Sequence, residues 1–208
     1  MKHHPVDETL TLIRETCLRF AREKIEPFAY EWEEAELFPR ALYNQAAEAG
    51  ILGAGVPEEY GGIGGGFMAS LVAAEALLTG GSTGVVVGLG SMGIALPPIV
   101  NLGTEAQKAR FIPSVVSGEK ISALGITEPG AGSDVAGIRT KAVRDGDDYV
   151  LNGAKLFITS GVRADLVTVL ARTGPDPHQG LTFFVVEKGM PGFSASRSLK
   201  KTGWRASD

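Results

Sequence analysis

The chain has a single cysteine, Cys17, and only three histidines in 208 residues. One cysteine cannot close an internal disulfide. His3 and His4 adjoin the N-terminus and His178 sits in a proline-bracketed loop, so a metal cluster or a catalytic triad has no common scaffold. Positive charge is also scarce: 20 Lys and Arg face 24 Asp and Glu, the net charge is -4, and no basic cluster exceeds Lys200-Lys201. A surface of that kind does not track a phosphodiester backbone, so nucleic acid is not an expected partner. No apolar stretch is read as reaching spanning length before charges or glycines interrupt it, and Met1 to Glu8 has no apolar signal-peptide core. No membrane span is expected, and the expected location is cytoplasmic.

What is present is enough apolar material, 44% of the residues, for one large or two small domains. The first half reads as helices. Leu10, Ile13, Cys17, Phe20 and Ala21 recur at helical spacing between charged neighbours, which puts Cys17 on a core stripe rather than in a reactive site. Pro27 is expected to kink or end that helix. A second helix fits Pro39 to Ala49, with Gly50 as its stop. The glycine-rich run Val56 to Gly66 reads as an irregular loop, followed by a nearly buried helix from Met68 to Glu75. Glu75 is read as reaching a helix edge rather than a pocket. Ser82 to Val100 is small and apolar and is broken by Pro97-Pro98. Thr104 caps a helix that runs to about Val116.

After Glu119 the apolar period falls to two. Ile121 to Ile126, Lys141 to Arg144, Tyr149 to Leu151, Lys155 to Thr159, Leu166 to Arg172 and Leu181 to Glu187 read as strands. Asp145-Gly146-Asp147-Asp148 reads as a hairpin turn rather than a calcium loop, because the other spaced ligands are missing. Asn152-Gly153 is a second turn candidate. The expectation is an α+β chain: a helical domain over 1–118, then an antiparallel β-barrel over 119–208, with the boundary near Ser117 to Ile121.

Chemistry concentrates in Ile126-Thr127-Glu128-Pro129-Gly130-Ala131-Gly132-Ser133-Asp134. Its glycines permit positive φ and close approach of the main chain, and Thr127 and Ser133 add rotatable donors. A dinucleotide fingerprint is the rival reading, but the third glycine is missing and hairpin-like alternation follows where a helix should. Glu128, hemmed in by Pro129, reads as a structural hydrogen-bonding group rather than a base. Phe157-Ile158-Thr159 is expected to form a strand whose Phe157 and Thr159 project to one face, a plate and a donor for a planar ring. Together the two segments suggest a flat heterocycle such as flavin.

The segments Leu124-Gly125-Ile126-Thr127-Glu128-Pro129-Gly130-Ala131-Gly132-Ser133-Asp134 and Asn152-Gly153-Ala154-Lys155-Leu156-Phe157-Ile158-Thr159 resemble two motifs of the acyl-CoA dehydrogenase family. Phe38-Pro39, Gly50-Ile51-Leu52, Val56 to Gly62 and Gly103 to Lys108 are similar as well, in the family's order and over almost the whole chain. The resemblance implies FAD as cofactor, with Leu124, Gly125, Ile126, Thr127, Gly132, Ser133, Phe157, Ile158 and Thr159 around it. Thr127 would lie near the pyrimidine edge, Phe157 against the ring, Thr159 close to N5, and Ser133 also near the substrate. Many relatives carry Trp where Phe157 stands. The implied activity is oxidation of an acyl-CoA thioester to its trans-2-enoyl form, with electrons passing to an electron-transfer flavoprotein. The full-length form would be a homo-oligomer.

The family continues into a second helical domain that carries the catalytic glutamate, whereas this sequence stops at Gly203-Trp204-Arg205-Ala206-Ser207-Asp208. The expectation is therefore an enzyme fragment with no catalytic base of its own, a reduced or lost hold on FAD and negligible turnover when isolated. The alternatives are a non-catalytic flavin or acyl-CoA binding module, and a fragment of an acyl-CoA oxidase-like flavoenzyme. Acyl-chain preference is not legible.

Overall fold

The computed structural model describes residues 5–208, with side chains from Glu8 onward; His3 and His4 lie outside the described residues. Helix α1 (Pro5–Phe20) runs on into a π-helical turn, Ala21–Ile25, and a 3-10 turn, Glu26–Phe28, before α2 (Ala29–Ala35). Proline cannot donate to the helical ladder and crowds the carbonyl four residues back, so the chain changes its winding at Pro27. Ile13, Cys17 and Phe20 are buried along one face of α1, which packs on α4 (Gly66–Leu78). Glu75 sits at the exposed edge of α4, 3.2 Å from Arg14. Helix α3 (Ala41–Glu48) starts two residues after Pro39 and is followed by Gly50 in the left-handed region, φ 75°. In the loop after it, a Cβ on Gly62 would stand 2.0 Å from the Val56 carbonyl oxygen, so only glycine allows that approach.

The stretch Thr83–Leu102 corrects one expectation: it is long and apolar enough, at mean hydropathy 1.8 over 20 residues, to meet the length and composition of a span. Here it folds as three short helices, α5 (Thr83–Leu89), α6 (Met92–Ala95) and α7 (Pro97–Leu102), with half of the apolar window buried inside the protein. These helices are tied to strands: Ser91 Oγ donates to the Ser122 carbonyl at 2.9 Å, and Thr168 Oγ1 donates to the Ala95 carbonyl at 2.9 Å. Helix α8 (Glu105–Val116) opens on a capping box in which the Gln107 N–H donates to Thr104 Oγ1 and the Thr104 N–H donates to Gln107 Oε1.

Five strands follow: β1 (Ser122–Gly125), β2 (Lys141–Asp145), β3 (Asp148–Asn152), β4 (Leu166–Arg172) and β5 (Leu181–Glu187). They form one mixed sheet, not a closed antiparallel barrel. Strand β4 pairs antiparallel with β5 along its length, parallel with β1 at its start, and parallel with β2 at Arg172, while β2 and β3 form an antiparallel hairpin. Leu166 to Ala171 is a near-continuous apolar run buried on both faces, the pattern of a strand with parallel neighbours, and the period-two reading passed over it. The hairpin turns at Gly146-Asp147, with Gly146 at φ 63°. Asn152-Gly153 is not a turn. Asn152 ends β3 opposite Lys141, and Gly153 lies where a Cβ would come within 2.3 Å of Thr140 Oγ1.

Lys155 to Thr159 is not a strand either. Phe157 (φ 59°) and Ser160 (φ 61°) both adopt the left-handed conformation, which breaks a pleat. The parallel β1–β4 pair requires a crossover, and residues 126–165 are that crossover. The main apolar core lies among the helices and extends to Ile121, Leu166 and Ala206, with two smaller clusters against the sheet.

Candidate functional site

Of the nine candidate cofactor residues, Leu124 and Gly125 end β1 and the other seven lie in the crossover. The first segment is a tight turn: the Glu128 N–H donates to the Ala131 carbonyl at 2.9 Å, and the Ala131 N–H returns to the Glu128 carbonyl at 3.2 Å. Pro129 and Gly130 form its corner. Neither Gly130 nor Gly132 has a positive φ, contrary to the sequence reading, and a Cβ on either would meet nothing within 4 Å. The fold itself does not require glycine at these two positions. What their bare backbone offers is close approach to something outside the chain. Gly125 differs, since a Cβ there would stand a tight 3.3 Å from Val167 and in ordinary contact with Lys155 and Val169.

Glu128 holds the turn in place. Its carboxylate accepts from the Arg139 N–H at 2.6 Å, the Thr140 N–H at 2.9 Å and the Lys155 ammonium at 2.8 Å. Burial would raise its pKa, but the Lys155 ammonium and the surrounding donors outweigh that and bring the carboxyl down to about 2. Burial lowers the pKa of Lys155, and Glu128 opposes that shift. Glu128 therefore plays the structural role read from the sequence.

The second segment lies directly against this turn. The Leu156 N–H donates to the Thr127 carbonyl at 2.9 Å, and Lys155 Nζ donates to the Ile126 carbonyl at 2.9 Å. Phe157 follows with 70% of its surface exposed, so most of the ring is uncovered, and its left-handed backbone carries strain. Beyond it, the Asp208 carboxylate accepts from the N–H groups of Val162 and Arg163, at 2.7 and 2.9 Å, and the Ser160 N–H donates to the Asp208 carbonyl at 3.3 Å. The loop bearing Phe157 and Thr159 is thus fastened at both ends. The expected strand with Phe157 and Thr159 on one face does not exist; a turn joins them instead.

Two candidates have their side chains committed to packing. Ile126 packs against the cluster that includes Ile138 and Leu170, and Ile158 against the one that includes Ala123, Ala164 and Val167, so both are partly buried. The donors left over are informative. Among the described residues, the hydroxyls of Thr127, Ser133 and Thr159 and the N–H groups of Gly132, Ser133, Phe157, Ile158 and Thr159 take no hydrogen-bond partner. A flat, acceptor-rich ring suits such a set: hydroxyl and amide donors, an uncovered aromatic plate and a bare glycine turn.

The sequence did not single out Lys155 or Asp208. The only available signals were a lysine between Gly153 and the apolar Leu156-Phe157-Ile158, and an acidic residue far along the chain. Two grooves elsewhere, beside α1, are lined by residues such as Thr16, Arg19 and Glu48, and by Leu12, Ile13 and Cys17; no candidate cofactor residue borders them. Burial pushes the Cys17 thiol up to about 11, which leaves it inert at neutral pH.

The family model for the acyl-CoA dehydrogenase N-terminal domain matches residues 7–119, and that for the acyl-CoA dehydrogenase middle domain matches residues 123–208. The long-chain specific acyl-CoA dehydrogenase of Rattus norvegicus mitochondria is 42% identical over 200 residues, covering 95% of this chain and 46% of that protein. The crystal structure of a probable acyl-CoA dehydrogenase from Mycobacterium abscessus superposes with a TM-score of 0.92 at 48% identity, covering 99% of this chain and 54% of that one. A glutaryl-CoA dehydrogenase from Mycobacterium smegmatis, solved in complex with FADH2, superposes with a TM-score of 0.88 at 33% identity, covering 97% of this chain and 51% of that one. The chain spans about half the length of these relatives. The chain belongs to the acyl-CoA dehydrogenase family.

Proposed function

We propose that this chain, as helical domain 1–118 and sheet domain 119–208, forms the flavin cradle of an FAD-dependent acyl-CoA dehydrogenase. The reaction is α,β-dehydrogenation of an acyl-CoA thioester. The observation that carries this reading is the junction of the two loops, where the Leu156 N–H bonds the Thr127 carbonyl at 2.9 Å and unpartnered donors cluster on either side. The FADH2 complex of the glutaryl-CoA dehydrogenase relative supports the choice of cofactor.

In this reading Thr127 and the Gly132-Ser133 amides face the polar edge of the ring, Phe157 covers its plane, and Thr159 donates near N5. Ser133 also meets the thioester substrate. When bound, FAD supplies the two-electron acceptor that takes hydride from the substrate β-carbon. Donors preset around the ring favour the negative charge that develops there. Glu128 does not take the α-proton: it is buried, its oxygens are occupied, and a carboxylate held near 2 is a poor base. We assign the base to no residue of this chain, and turnover by the chain alone is expected to be negligible. The partners in this reading are the acyl-CoA substrate, an electron-transfer flavoprotein and further copies of the protein.

The test is amide hydrogen exchange of the purified chain with and without excess FAD, alongside flavin fluorescence. The reading expects slower exchange confined to 125–133 and 156–159, with quenching of the flavin. Uniform exchange and unchanged fluorescence at saturating FAD would refute it.

A further inference from the structure

The two loops of the cradle lie in a crossover, outside the sheet ladder, so something other than strand pairing must fix one against the other. Three bonds join them. One is the Leu156 N–H to the Thr127 carbonyl, and the other two come from a single group, Lys155 Nζ, to the Ile126 carbonyl at 2.9 Å and to Glu128 Oε1 at 2.8 Å. The Lys155 side chain is 11% exposed and that of Glu128 is 7% exposed. An ammonium kept so far from water is costly unless it is fully paired, and a hydrophobic pair of similar shape would serve stability at least as well. What an apolar pair cannot do is fix direction. The ammonium has three donors on a long stem, which lets it reach a main-chain carbonyl and a carboxylate at once. The stem runs under the end of β1, where a Cβ on Gly125 would stand 3.5 Å from Lys155 Cγ.

We propose that Lys155 is the positioning residue of the cradle, its ammonium locking the loop of Phe157 and Thr159 in register with the turn of Thr127 and Ser133. What the locked loops hold rests on the flavin reading; the lock itself does not.

The test compares the wild-type chain with Lys155→Met and with the double variant Lys155→Met, Glu128→Gln. The single variant strands a buried carboxylate and is expected to lose stability. The double variant removes that charge and is expected to recover part of the loss, short of the wild type because the Glu128 carboxylate also accepts from the Arg139 and Thr140 N–H groups. The lock predicts that the Leu156 amide of the wild type exchanges as slowly as the β4 amides, and that in the double variant it exchanges at least tenfold faster than they do. FAD affinity, read by fluorescence under conditions where both proteins are folded, should stay at least tenfold weaker in the double variant. If Leu156 in the wild type already exchanges like an open loop, the proposal is overturned. It is equally overturned if the double variant keeps the wild-type protection of Leu156. A wild-type chain that protects Leu156 but never quenches FAD would count against the flavin reading alone.

Discussion

Arg163 and Asp208 form a buried ion pair, with Nε 2.6 Å from Oδ1 but off the line of a hydrogen bond, and side chains 11% and 2% exposed. The Arg163 guanidinium also lies over the Phe38 ring, 4.4 Å from its centroid. Through this pair the turn after Thr159 is fastened both to the far end of the chain and to the loop between α2 and α3.

Asp208→Asn should therefore cost about 3 kcal/mol of folding stability, because it leaves a guanidinium in the interior without its counter-charge. Urea denaturation measures this. A change below about 0.5 kcal/mol, the range of an ordinary surface substitution, would mean that the pair contributes little.

Glu128 gives the protein an acid-sensitive term. Its carboxyl is held at about 2 against an ordinary value of 4.5. A depressed carboxyl adds stability that is fully present above the unfolded value and is lost as pH falls through the folded one. Between pH 4.5 and 2 the wild type should lose stability faster than Glu128→Gln, whose urea midpoint lacks that contribution. Parallel pH profiles for the two proteins would contradict the assignment.

Gly132→Ala separates fold from ligand. Its φ is not positive and the added methyl meets nothing within 4 Å, so stability should hold within about 0.5 kcal/mol. The methyl would occupy the space a ring edge needs, and FAD affinity should drop roughly tenfold or more. Unchanged affinity in a fluorescence titration would remove the turn from the cofactor site.

Phe157→Gly should move the two properties in opposite directions. Glycine relieves a left-handed backbone that disfavours any other residue, and the exposed ring loses little packing, so the protein should gain about 1 kcal/mol. Loss of the plate should weaken FAD. Phe157→Trp should keep the affinity that Phe157→Gly loses.

Local signals in the sequence carried much of the fold. Thr104 marked a helix start, Gly50 marked a stop, and the spans of β4 and β5 coincide with the runs Leu166 to Arg172 and Leu181 to Glu187 read as strands. These features depend on neighbours a few residues apart. Lys155 to Thr159 misled because Phe, Ile and Thr are common strand formers, while the segment is held out of the sheet by the bonds of Leu156 to Thr127 and of Ser160 to Asp208, which no short window contains. The structural part of Glu128 was visible from Pro129 beside it. Its partner Lys155, 27 positions away, was not.

Because residues 126–165 form the link between parallel strands, β1 has no β4 to lie beside until the whole link has left the ribosome. Pairings so distant in sequence form slowly. The nascent protein is thus expected to complete its helices early and to become competent for ligand only after β4 arrives, which makes ligand capture a late event in biogenesis.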